Sequence, residues 1–254
     1  MLCDFTGKHV LITGGNMGLG AGVARGFLQA GADLTVVGLE HDVPDIAAAW
    51  SSEFNSRVNG LTCDIATPEG IAELARLDTP LDVLVNNAGL ELITPITDSS
   101  PEVDVIFRRI TEINIIGTFS VTRALLPKLK DGGRIVNTAS MWGKTAVAEF
   151  SAYCASKHAV IGLTRSLAQE LAPRRISVNA VCPGWVRTEA AMRSLAAMSD
   201  RSGRDEEDLL AEITGAQALP GLMVPPDMAD MYLFLASDAA RNITGQAFTV
   251  DRGS

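Results

Sequence analysis

Residues 8–20 read Lys-His-Val-Leu-Ile-Thr-Gly-Gly-Asn-Met-Gly-Leu-Gly, and this stretch decides the fold. The short run 8–13 is rich in β-branched residues and predicts a buried strand. A glycine cluster follows at once, and the pattern of residues 21–30 predicts a helix. Glycines between a first strand and a first helix let the backbone approach a pyrophosphate, and the helix N-terminus supplies free N–H groups. A plain tight turn is the alternative interpretation of the same glycines.

The rest of the chain alternates strand-like and helix-like segments. Further strands are predicted at residues 34–38, 58–63, 81–85, 134–139, 176–181 and 246–250. Helices are predicted at residues 47–54, from Pro68 onward, 101–130, 152–172 and 226–236. This order predicts an α/β fold: one Rossmann-type, doubly wound domain over residues 1–254, with a seven-stranded parallel sheet and helices on both faces. Residues 189–221 show no strong period and are expected to form a mobile substrate lid.

Composition and charge exclude several classes of function. The chain has 254 residues, of which 47% are apolar, and it carries a net charge of −9 with no basic tract. Nucleic acids and anionic membranes are therefore not expected as partners, and no apolar run is long enough to span a bilayer. The first residues include an acid and no apolar core, so we expect a cytoplasmic protein without a secretory signal. The four cysteines lack metal-ligand spacing, which favours free thiols and no metal site.

Tyr153 and Lys157 lie four residues apart in the predicted helix 152–172, so they share one face of it. An ammonium beside a phenol favours the phenolate and lowers the pKa of the phenol. Such a pair exchanges a proton near neutral pH, as oxidising an alcohol or reducing a carbonyl requires. Ser140 ends a predicted strand, where its hydroxyl is placed to hold the substrate oxygen. An ordinary surface tyrosine and lysine are the alternative when the pair is taken alone.

The end of the second predicted strand decides the choice of cofactor in a dinucleotide-binding fold, because an acid there usually binds the adenosine ribose. Here that end reads Gly38-Leu39-Glu40-His41-Asp42, so the usual acid position holds glycine. Glu40 and Asp42 are close enough to take its place, and no Arg or Lys stands nearby to meet a 2′-phosphate. The local charge therefore favours NAD over NADP, and Gly38→Asp is expected to widen that preference. A solvated loop acid is the alternative for Glu40.

These motifs, in this order and spacing, resemble the compact, single-domain short-chain dehydrogenases/reductases over essentially the whole chain. The residues that carry the resemblance are Thr13-Gly14-x-x-x-Gly18-x-Gly20, Asp64, Asn86-Asn87-Ala88-Gly89, Asn114, Ser140, Tyr153-x-x-x-Lys157, Pro183-Gly184 and Thr188. The chain departs from the family at Gly38. Members that use NAD usually carry Asp there, and members that use NADP often carry Gly or Ser followed by Arg, whereas Leu39 follows here.

The resemblance implies a role for each site residue. Tyr153 is implied as the general acid/base and Ser140 as the group that holds the substrate oxygen. Lys157 is implied to bond the nicotinamide ribose and to lower the pKa of Tyr153. Asn114 is implied to anchor a water that links Lys157 to solvent. The implied cofactor-binding residues are Gly14, Asn16, Met17, Gly18, Leu19, Gly20, Gly38, Leu39, Glu40, Asp64, Ile65, Asn86, Ala88, Gly89, Tyr153, Lys157, Pro183, Gly184, Val186 and Thr188.

The leading hypothesis is an oxidoreductase that moves a hydride between a secondary alcohol or ketone and NAD(H). An NADPH-dependent carbonyl reductase with the same site is one alternative. A non-catalytic dinucleotide-binding sensor or scaffold is another, because a fold does not fix a function. The substrate class stays open: Trp142 and Trp185 favour a hydrophobic cyclic alcohol, whereas Glu91 and Glu149 favour a sugar or polyol.

The predicted helix 152–172 also points to assembly. Ala155, Ala159, Gly162 and Ser166 fall on the face opposite Tyr153, at about 100° per residue, and form a stripe of small side chains. Longer polar residues would be expected on a solvated surface. The stripe packs either on another element of its own chain or on a second copy. The resemblance supports the second copy, because relatives commonly form dimers and tetramers through this helix, so a homotetramer or homodimer is expected.

Overall fold

The computed structural model describes residues 3–254, and seven strands form one sheet. The strands are β1 (His9–Thr13), β2 (Asp33–Gly38), β3 (Val58–Thr62), β4 (Leu81–Asn86), β5 (Leu129–Thr138), β6 (Ser177–Pro183) and β7 (Ala247–Val250). Their order is β3-β2-β1-β4-β5-β6-β7, and every pairing is parallel. The order reverses between β1 and β4, which opens a crevice at the carboxyl ends of these strands. The predicted doubly wound fold is confirmed.

Helices cover both faces of the sheet. They are α1 (Gly18–Gln29), α2 (Val43–Phe54), α3 (Pro68–Ala75), α4 (Pro101–Thr111), α5 (Thr118–Leu125), α6 (Ser151–Glu170), α7 (Glu189–Ser202), α8 (Glu206–Gly215) and α9 (Ala229–Ala236). Phe27 of α1 and Tyr232 of α9 belong to the core on one face. Leu125 of α5 and Leu167 of α6 belong to the core on the other. Each buried side chain of this size contributes about 1.5–3 kcal/mol, so both layers stabilise the sheet.

α1 begins at Gly18, before the start predicted at residue 21. The first turn of this helix therefore lies inside the glycine cluster. Gly14 and Gly18 adopt φ values of +60° and +51°, a backbone conformation that residues other than glycine rarely adopt. The glycines thus turn the chain sharply after β1 and set the helix N-terminus at the crevice.

The single helix predicted over residues 101–130 is wrong. α4 ends at Thr111, a π-helical turn follows over Glu112–Gly117, and α5 ends at Leu125. The chain then turns and enters β5 at Leu129, before the predicted strand start at residue 134. Asn114 lies in the π-helical turn, so the interruption falls at a residue that disfavours the α-helix.

Residues 189–221 contain two helices, α7 and α8, where the sequence showed no strong period. The Thr188 hydroxyl caps α7 by accepting a hydrogen bond from the Ala191 amide at 3.1 Å. Leu195 of α7 and Leu209 of α8 pack into a small apolar cluster with Trp185. The segment therefore packs beside the opening of the crevice, and a few buried side chains make this contact.

Most of the stripe of small residues on α6 does not pack against the described part of its own chain. Ala155, Gly162 and Ser166 are exposed, and Ala159 is half-buried. A β-carbon built at Gly162 would meet no atom within 4 Å. Packing within residues 3–254, one of the two interpretations of this stripe, therefore covers Ala159 only in part and leaves the other three residues exposed.

The four cysteines all lie within the described residues and are free thiols. Burial raises the pKa of the Cys63 thiol to about 11, so this group stays protonated at neutral pH. Among residues 3–254, no helix combines the length and apolar character needed to cross a membrane. Over the same range, no three His, Cys, Asp or Glu side chains come close enough to share a metal ion.

Candidate active site

A cavity of about 680 Å³ opens at the carboxyl ends of β1, β2, β4 and β5, where the strand order reverses. It brings together nearly all of the residues that the sequence predicted for the site. The predicted residues that line it are Gly14, Asn16, Met17, Gly18, Leu19, Gly20, Gly38, Leu39, Glu40, Asp64, Ile65, Ala88, Gly89, Ser140, Tyr153, Lys157, Pro183, Gly184, Val186 and Thr188. Asn86 and Asn114 are the two predicted residues that do not line it.

The glycine cluster forms a cradle that larger residues would fill. A β-carbon at Gly14 would lie 2.9 Å from the Cα of Ala88, and one at Gly20 would overlap the carbonyl oxygen of Gly14. The first N–H groups of α1 have no intrahelical acceptors, and the helix dipole favours negative charge beside them. The cradle therefore fits the pyrophosphate of a dinucleotide.

The end of β2 differs from the arrangement expected of an NAD site. Gly38 carries no acid, and the side-chain amide of Asn16 from the glycine cluster lies over it. Asn16 Nδ2 donates a hydrogen bond to Glu40 Oε2 at 2.8 Å. The nearest acid to the strand end is thus Glu40, and the glycine loop holds it in place.

Asn86 was predicted to line the cofactor site, but it is not among the residues that line the cavity. Its side chain is buried under the sheet, where Nδ2 donates to Thr122 Oγ1 and Asn137 Oδ1, both at 2.9 Å. The next residue, Asn87, lines the cavity and donates to the Gly14 carbonyl at 2.9 Å. Side chains alternate between the two faces of a strand, so neighbouring asparagines at its end point to different places.

Asp64 has a partner that the sequence did not indicate. Arg109 of α4 donates to Asp64 Oδ2 at 2.8 Å, and the Ala66 amide donates to Oδ1 at 2.9 Å. Burial acts to raise the pKa of Asp64, but these hydrogen bonds outweigh it and hold the pKa below its usual range. The carboxylate is therefore ionised at neutral pH. Arg109 lines the cavity beside it, and no motif links two residues so far apart in the sequence.

Ser140, Tyr153 and Lys157 meet at the other end of the cavity. Ser140 follows β5, and its hydroxyl accepts a hydrogen bond from the Trp142 amide at 3.2 Å. That hydroxyl also lies within hydrogen-bonding reach of the Tyr153 phenol. Lys157 is only 4% exposed, and its Nζ donates to the Thr138 carbonyl at 2.8 Å. Three of the four predicted catalytic residues are thus neighbours.

The pKa of Tyr153 departs from the expectation that Lys157 lowers it. Burial raises this pKa well above 10, and the negative charge of Glu91 raises it further, while the hydrogen bond with Ser140 opposes both. The Lys157 ammonium lies 5.5 Å from the centre of the tyrosine ring and bonds elsewhere, so it does not offset the burial. Burial also lowers the pKa of Lys157 to about 8. The phenol therefore keeps its proton at neutral pH.

Asn114 lies behind the cavity and links the loop at Leu90 to helix α6. Its Oδ1 accepts from the Leu90 amide at 2.7 Å, and its Nδ2 donates to the Leu90 carbonyl at 3.0 Å and to Ser156 Oγ at 2.9 Å. The Ser156 hydroxyl in turn donates to the Tyr153 carbonyl at 2.7 Å. The side-chain amide is thus occupied, and the main-chain carbonyl of Asn114 accepts from Thr118 Oγ1 at 2.9 Å. The water-anchoring role implied for Asn114 stays a prediction.

The substrate end of the cavity combines an apolar wall with a carboxylate. The rings of Trp142 and Trp185 meet edge to face with their centres 5.9 Å apart, and Trp142 meets Tyr153 in the same way at 6.1 Å. The half-buried Glu91 lies within hydrogen-bonding reach of Ser194 on α7, and burial raises the pKa of its carboxyl. Both side-chain types that the sequence offered for the substrate are therefore present.

Glu149, the other acid weighed as a substrate contact, lies outside the cavity lining. Its Oε1 accepts hydrogen bonds from Arg201 Nε at 3.0 Å and from Nη2 at 2.7 Å. This pair connects the loop before α6 to the end of α7. Glu149 therefore contributes to the position of α7, and Glu91 is the acid beside the reacting groups.

Comparison with known proteins points to the family that the sequence motifs resemble. The family model described as Enoyl-(Acyl carrier protein) reductase matches residues 14–254. The chain is 34% identical to the D-beta-hydroxybutyrate dehydrogenase of Cupriavidus necator over 255 residues, which cover 97% of each protein. It is 32% identical to the NAD-dependent glycerol dehydrogenase of Listeria innocua, over 98% of this chain and 94% of that protein.

A solved structure shares the whole fold. The L-sorbose reductase of Gluconobacter frateurii, complexed with NADPH and L-sorbose, is similar with a TM-score of 0.89 at 26% identity. The similarity covers 100% of this chain and 98% of that one. With the family model and the two dehydrogenases, it shows that the chain belongs to the short-chain dehydrogenase/reductase family of oxidoreductases.

Proposed function

We propose that this protein transfers a hydride between a secondary alcohol or ketone and a nicotinamide dinucleotide, with NAD(H) favoured. The observation that carries the proposal is the convergence of Ser140, Tyr153 and Lys157 at one end of a cavity whose other end is the glycine cradle. The bound nicotinamide supplies the hydride acceptor or donor. The relatives named above support the reaction class, since they are dehydrogenases and a reductase of alcohols and ketones.

In this proposal the protein's own residues handle the proton. Ser140 donates a hydrogen bond to the substrate oxygen, and Tyr153 exchanges a proton with that oxygen. Because the pKa of Tyr153 lies well above 10, the phenol is protonated at neutral pH and is ready to donate, as carbonyl reduction requires. Oxidation requires the phenolate and therefore gains from higher pH. The Lys157 side chain bonds the nicotinamide ribose, and below its pKa of about 8 its ammonium adds positive charge beside the phenol.

The preference for NAD rests on the charge at the end of β2. Glu40 lines the cavity there, and the exposed Asp42 follows it closely. A 2′-phosphate brought to this edge would meet negative charge without a compensating Arg or Lys in residues 14–20 or 38–42. The relatives include both kinds: the Listeria enzyme is NAD-dependent, and the sorbose reductase holds NADPH. An NADPH-dependent carbonyl reductase is accordingly the second candidate.

A hydroxylated substrate is the class that the cavity favours. Glu91 places a hydrogen-bond acceptor within electrostatic reach of Tyr153 and Lys157. A carboxylate accepts hydrogen bonds from neighbouring hydroxyls of a polyol or sugar. The glycerol and sorbose named with two relatives belong to this class. The two tryptophans then cover the apolar face of the substrate.

Assembly, the lid and the location of the protein belong to the same proposal. The exposed small-residue stripe of α6 forms an interface with a second copy in a homotetramer or homodimer, and residues 1–254 act as one domain in the cytoplasm. Exposed apolar side chains on the neighbouring helices, including Phe107 at 42% and Phe119 at 41%, support an interface on that side. Residues 189–221 act as a lid that orders over cofactor and substrate.

Two measurements on the purified full chain test the proposal. NADH and NADPH should each raise the melting temperature, and NADH should raise it more, because a ligand that binds the folded state stabilises it. An oxidation screen with NAD across sugars, polyols, steroids and aryl alcohols should then find turnover among the hydroxylated compounds. Failure of both dinucleotides to bind would contradict the proposal. A stronger shift with NADPH would favour the second candidate.

A further inference from the structure

A single ion pair joins residues 189–221, the proposed lid, to the rest of the described chain. Arg201, in the last turn of α7, donates to Glu149 Oε1 from Nε at 3.0 Å and from Nη2 at 2.7 Å. Every other ion pair among residues 3–254 lies wholly inside the lid or wholly outside it. The hydrogen bonds from Arg201 lower the pKa of the Glu149 carboxyl, so the carboxylate stays ionised at neutral pH.

Glu149 has an unusual backbone conformation. Its φ is +68°, in the left-handed region that residues other than glycine seldom adopt. Such a conformation persists only where the surroundings hold it. Contacts on two sides hold it here: the side chain accepts from Arg201, and the main-chain carbonyl accepts from the Thr94 amide at 2.6 Å. This left-handed turn therefore lies between the lid and the segment that follows β4.

Thr94 extends the contact to the first turn of α6. The residue before this helix, Phe150, makes no side-chain cap hydrogen bond. Thr94 supplies an acceptor from another segment, because its Oγ1 accepts from the Ala152 amide at 3.0 Å. Thr94 is only 2% exposed, and Tyr153 follows Ala152 directly. A continuous series of hydrogen bonds thus leads from Arg201 in the lid to the turn that carries Tyr153.

Neither residue of the ion pair lines the cavity, whereas Tyr153 does. An effect of Glu149 or Arg201 on the reaction must therefore act through other residues. Phe150, next to Glu149, is fully buried and belongs to the same apolar cluster as Leu195 of α7. The lid thus meets the loop before α6 through a charged contact and an apolar one, and a movement of α7 acts on that loop.

We propose that the Glu149–Arg201 pair couples closure of the lid to the position of Tyr153. With the pair formed, Glu149 keeps its left-handed turn, its carbonyl holds Thr94, and Thr94 caps the first turn of α6. With the pair broken, the loop relaxes and that turn loses its cap, so the phenol is held less firmly beside Ser140. Glu149 and Arg201 are positioning residues in this account. The inference rests on the proposed function, which gives Tyr153 its role.

Amide hydrogen exchange on the full chain without ligand tests the coupling and requires no turnover. Arg201→Met removes the guanidinium and keeps most of the stem. Glu149→Asn is too short to reach Arg201, and asparagine tolerates the left-handed conformation. Each variant should speed exchange by about threefold or more in α7 and in residues 152–154, while exchange in β4 matches the wild type. Arg201→Lys keeps the charge and should restore part of the lost protection.

Three results of this experiment would overturn the coupling. Faster exchange in α7 with unchanged exchange in residues 152–154 would mean that the pair holds the lid alone. Unchanged exchange in both places would mean that the pair holds neither. The double variant should act no more strongly than either single variant, because both substitutions remove one contact. Additive effects would mean that Glu149 and Arg201 act through different contacts.

Arg204→Met is the matched control. Arg204 forms an ion pair of the same length, 2.7 Å, with Glu212, and both residues lie within the lid. The substitution removes an ion pair from the lid and leaves the contact with Glu149 in place. Exchange in residues 152–154 should therefore match the wild type. An increase there equal to that of Arg201→Met would show that any loosening of the lid reaches α6, which would overturn the specific role of Glu149.

Steady-state oxidation of the best substrate from the screen separates positioning from closure. Loosening a lid that only covers the substrate raises KM and leaves kcat unchanged. Loss of the coupling should also lower kcat by about threefold or more in Arg201→Met and Glu149→Asn, with the Kd for NADH within about twofold of the wild type. A rise in KM with an unchanged kcat would overturn the coupling.

The two experiments distinguish failure of this inference from failure of the proposed function. Absence of NADH binding or of turnover in the wild-type protein would contradict the proposed function. The exchange experiment would still decide the coupling, because it uses no ligand. Normal turnover in the wild type, together with variants that match it in exchange and in kcat, would overturn the coupling and leave the proposed function standing.

Discussion

The ammonium of Lys157 lies 5.5 Å from the centre of the Tyr153 ring, yet it gives its hydrogen bond to the carbonyl of Thr138 at 2.8 Å. The lysine is thus held by the end of β5 and not by the phenol. This explains why burial dominates the pKa of Tyr153. The charge of Glu91 is the next largest influence on that pKa. A substitution at Glu91 can therefore test this influence.

Replacing Glu91 by Gln should lower the pKa of Tyr153. The carboxylate raises that pKa because its negative charge disfavours the phenolate, so its removal acts in the opposite direction. Oxidation needs the phenolate and is lost as the pH falls through this pKa. The low-pH limb of the kcat/KM profile for oxidation should therefore move to lower pH in Glu91→Gln.

Glu189→Gln is the matched control for this shift. Glu189 lines the same cavity, but it is not among the charges that act on Tyr153. Its profile should superimpose on that of the wild-type protein. A Glu91→Gln profile that stays in place, or that moves to higher pH, would contradict the electrostatic coupling.

Gly38→Asp should destabilise the protein, contrary to the sequence-based expectation that it widens the preference for NAD. Its β-carbon would overlap Asn16 Oδ1 and crowd Val43, and overpacking of this kind typically costs about 1–3 kcal/mol. Gly38→Ala adds the β-carbon alone and should show most of the loss in urea unfolding. Adding Asn16→Ala to Gly38→Ala should recover part of it. A Gly38→Ala variant as stable as the wild type would show that the loop yields without cost.

Much of this site follows from local sequence patterns. The strand, glycine cluster and helix at residues 8–30 are contiguous, so their periodicity and glycine placement determine the cradle. Tyr153 and Lys157 lie one helical turn apart, and the helix brings them together without help from the rest of the fold. Patterns of this kind hold in the folded protein because they depend only on residues that are close together in the sequence.

The residues that the sequence missed depend on packing between distant segments. Arg109 reaches Asp64 only because α4 lies beside the end of β3, and Asn16 reaches Glu40 only because the first two strands are neighbours. Asn86 and Asn87 are identical in type, so only the alternation of β4 distinguishes the buried one from the one in the cavity. The pKa of Tyr153 reflects desolvation, which the sequence does not show.

Ala159→Arg should break the proposed assembly. Ala159 lies in the exposed stripe of α6, where a long charged side chain would hold two helices apart. Light scattering at micromolar concentration should give the mass of a tetramer or dimer for the wild type and a smaller mass for the variant. Ala48→Arg, at an exposed alanine of α2, is the matched control and should keep the wild-type mass. A wild-type monomer, or an unchanged mass for Ala159→Arg, would contradict the interface.

Residues 189–221 should exchange their amide hydrogens faster than the strands when no ligand is added. Leu209 is the one buried residue of α8, whereas every residue of β4 is buried, so the lid has less packing to resist opening. NADH together with a substrate analogue should slow exchange in α7 and α8 and leave β4 unchanged. Protection of the lid equal to that of β4 without ligand would show that it is a fixed part of the fold.

Tyr153→Phe tests the central claim most directly, because it deletes the phenol hydroxyl and little volume. The variant and the wild type are compared by NADH binding and by turnover on the best substrate from the oxidation screen. Loss of a general acid/base should lower kcat by about 10²–10⁴-fold while the Kd for NADH stays within about twofold. Turnover within about tenfold of the wild type, a barrier change of only ~1.4 kcal/mol, would show that Tyr153 does not exchange the proton.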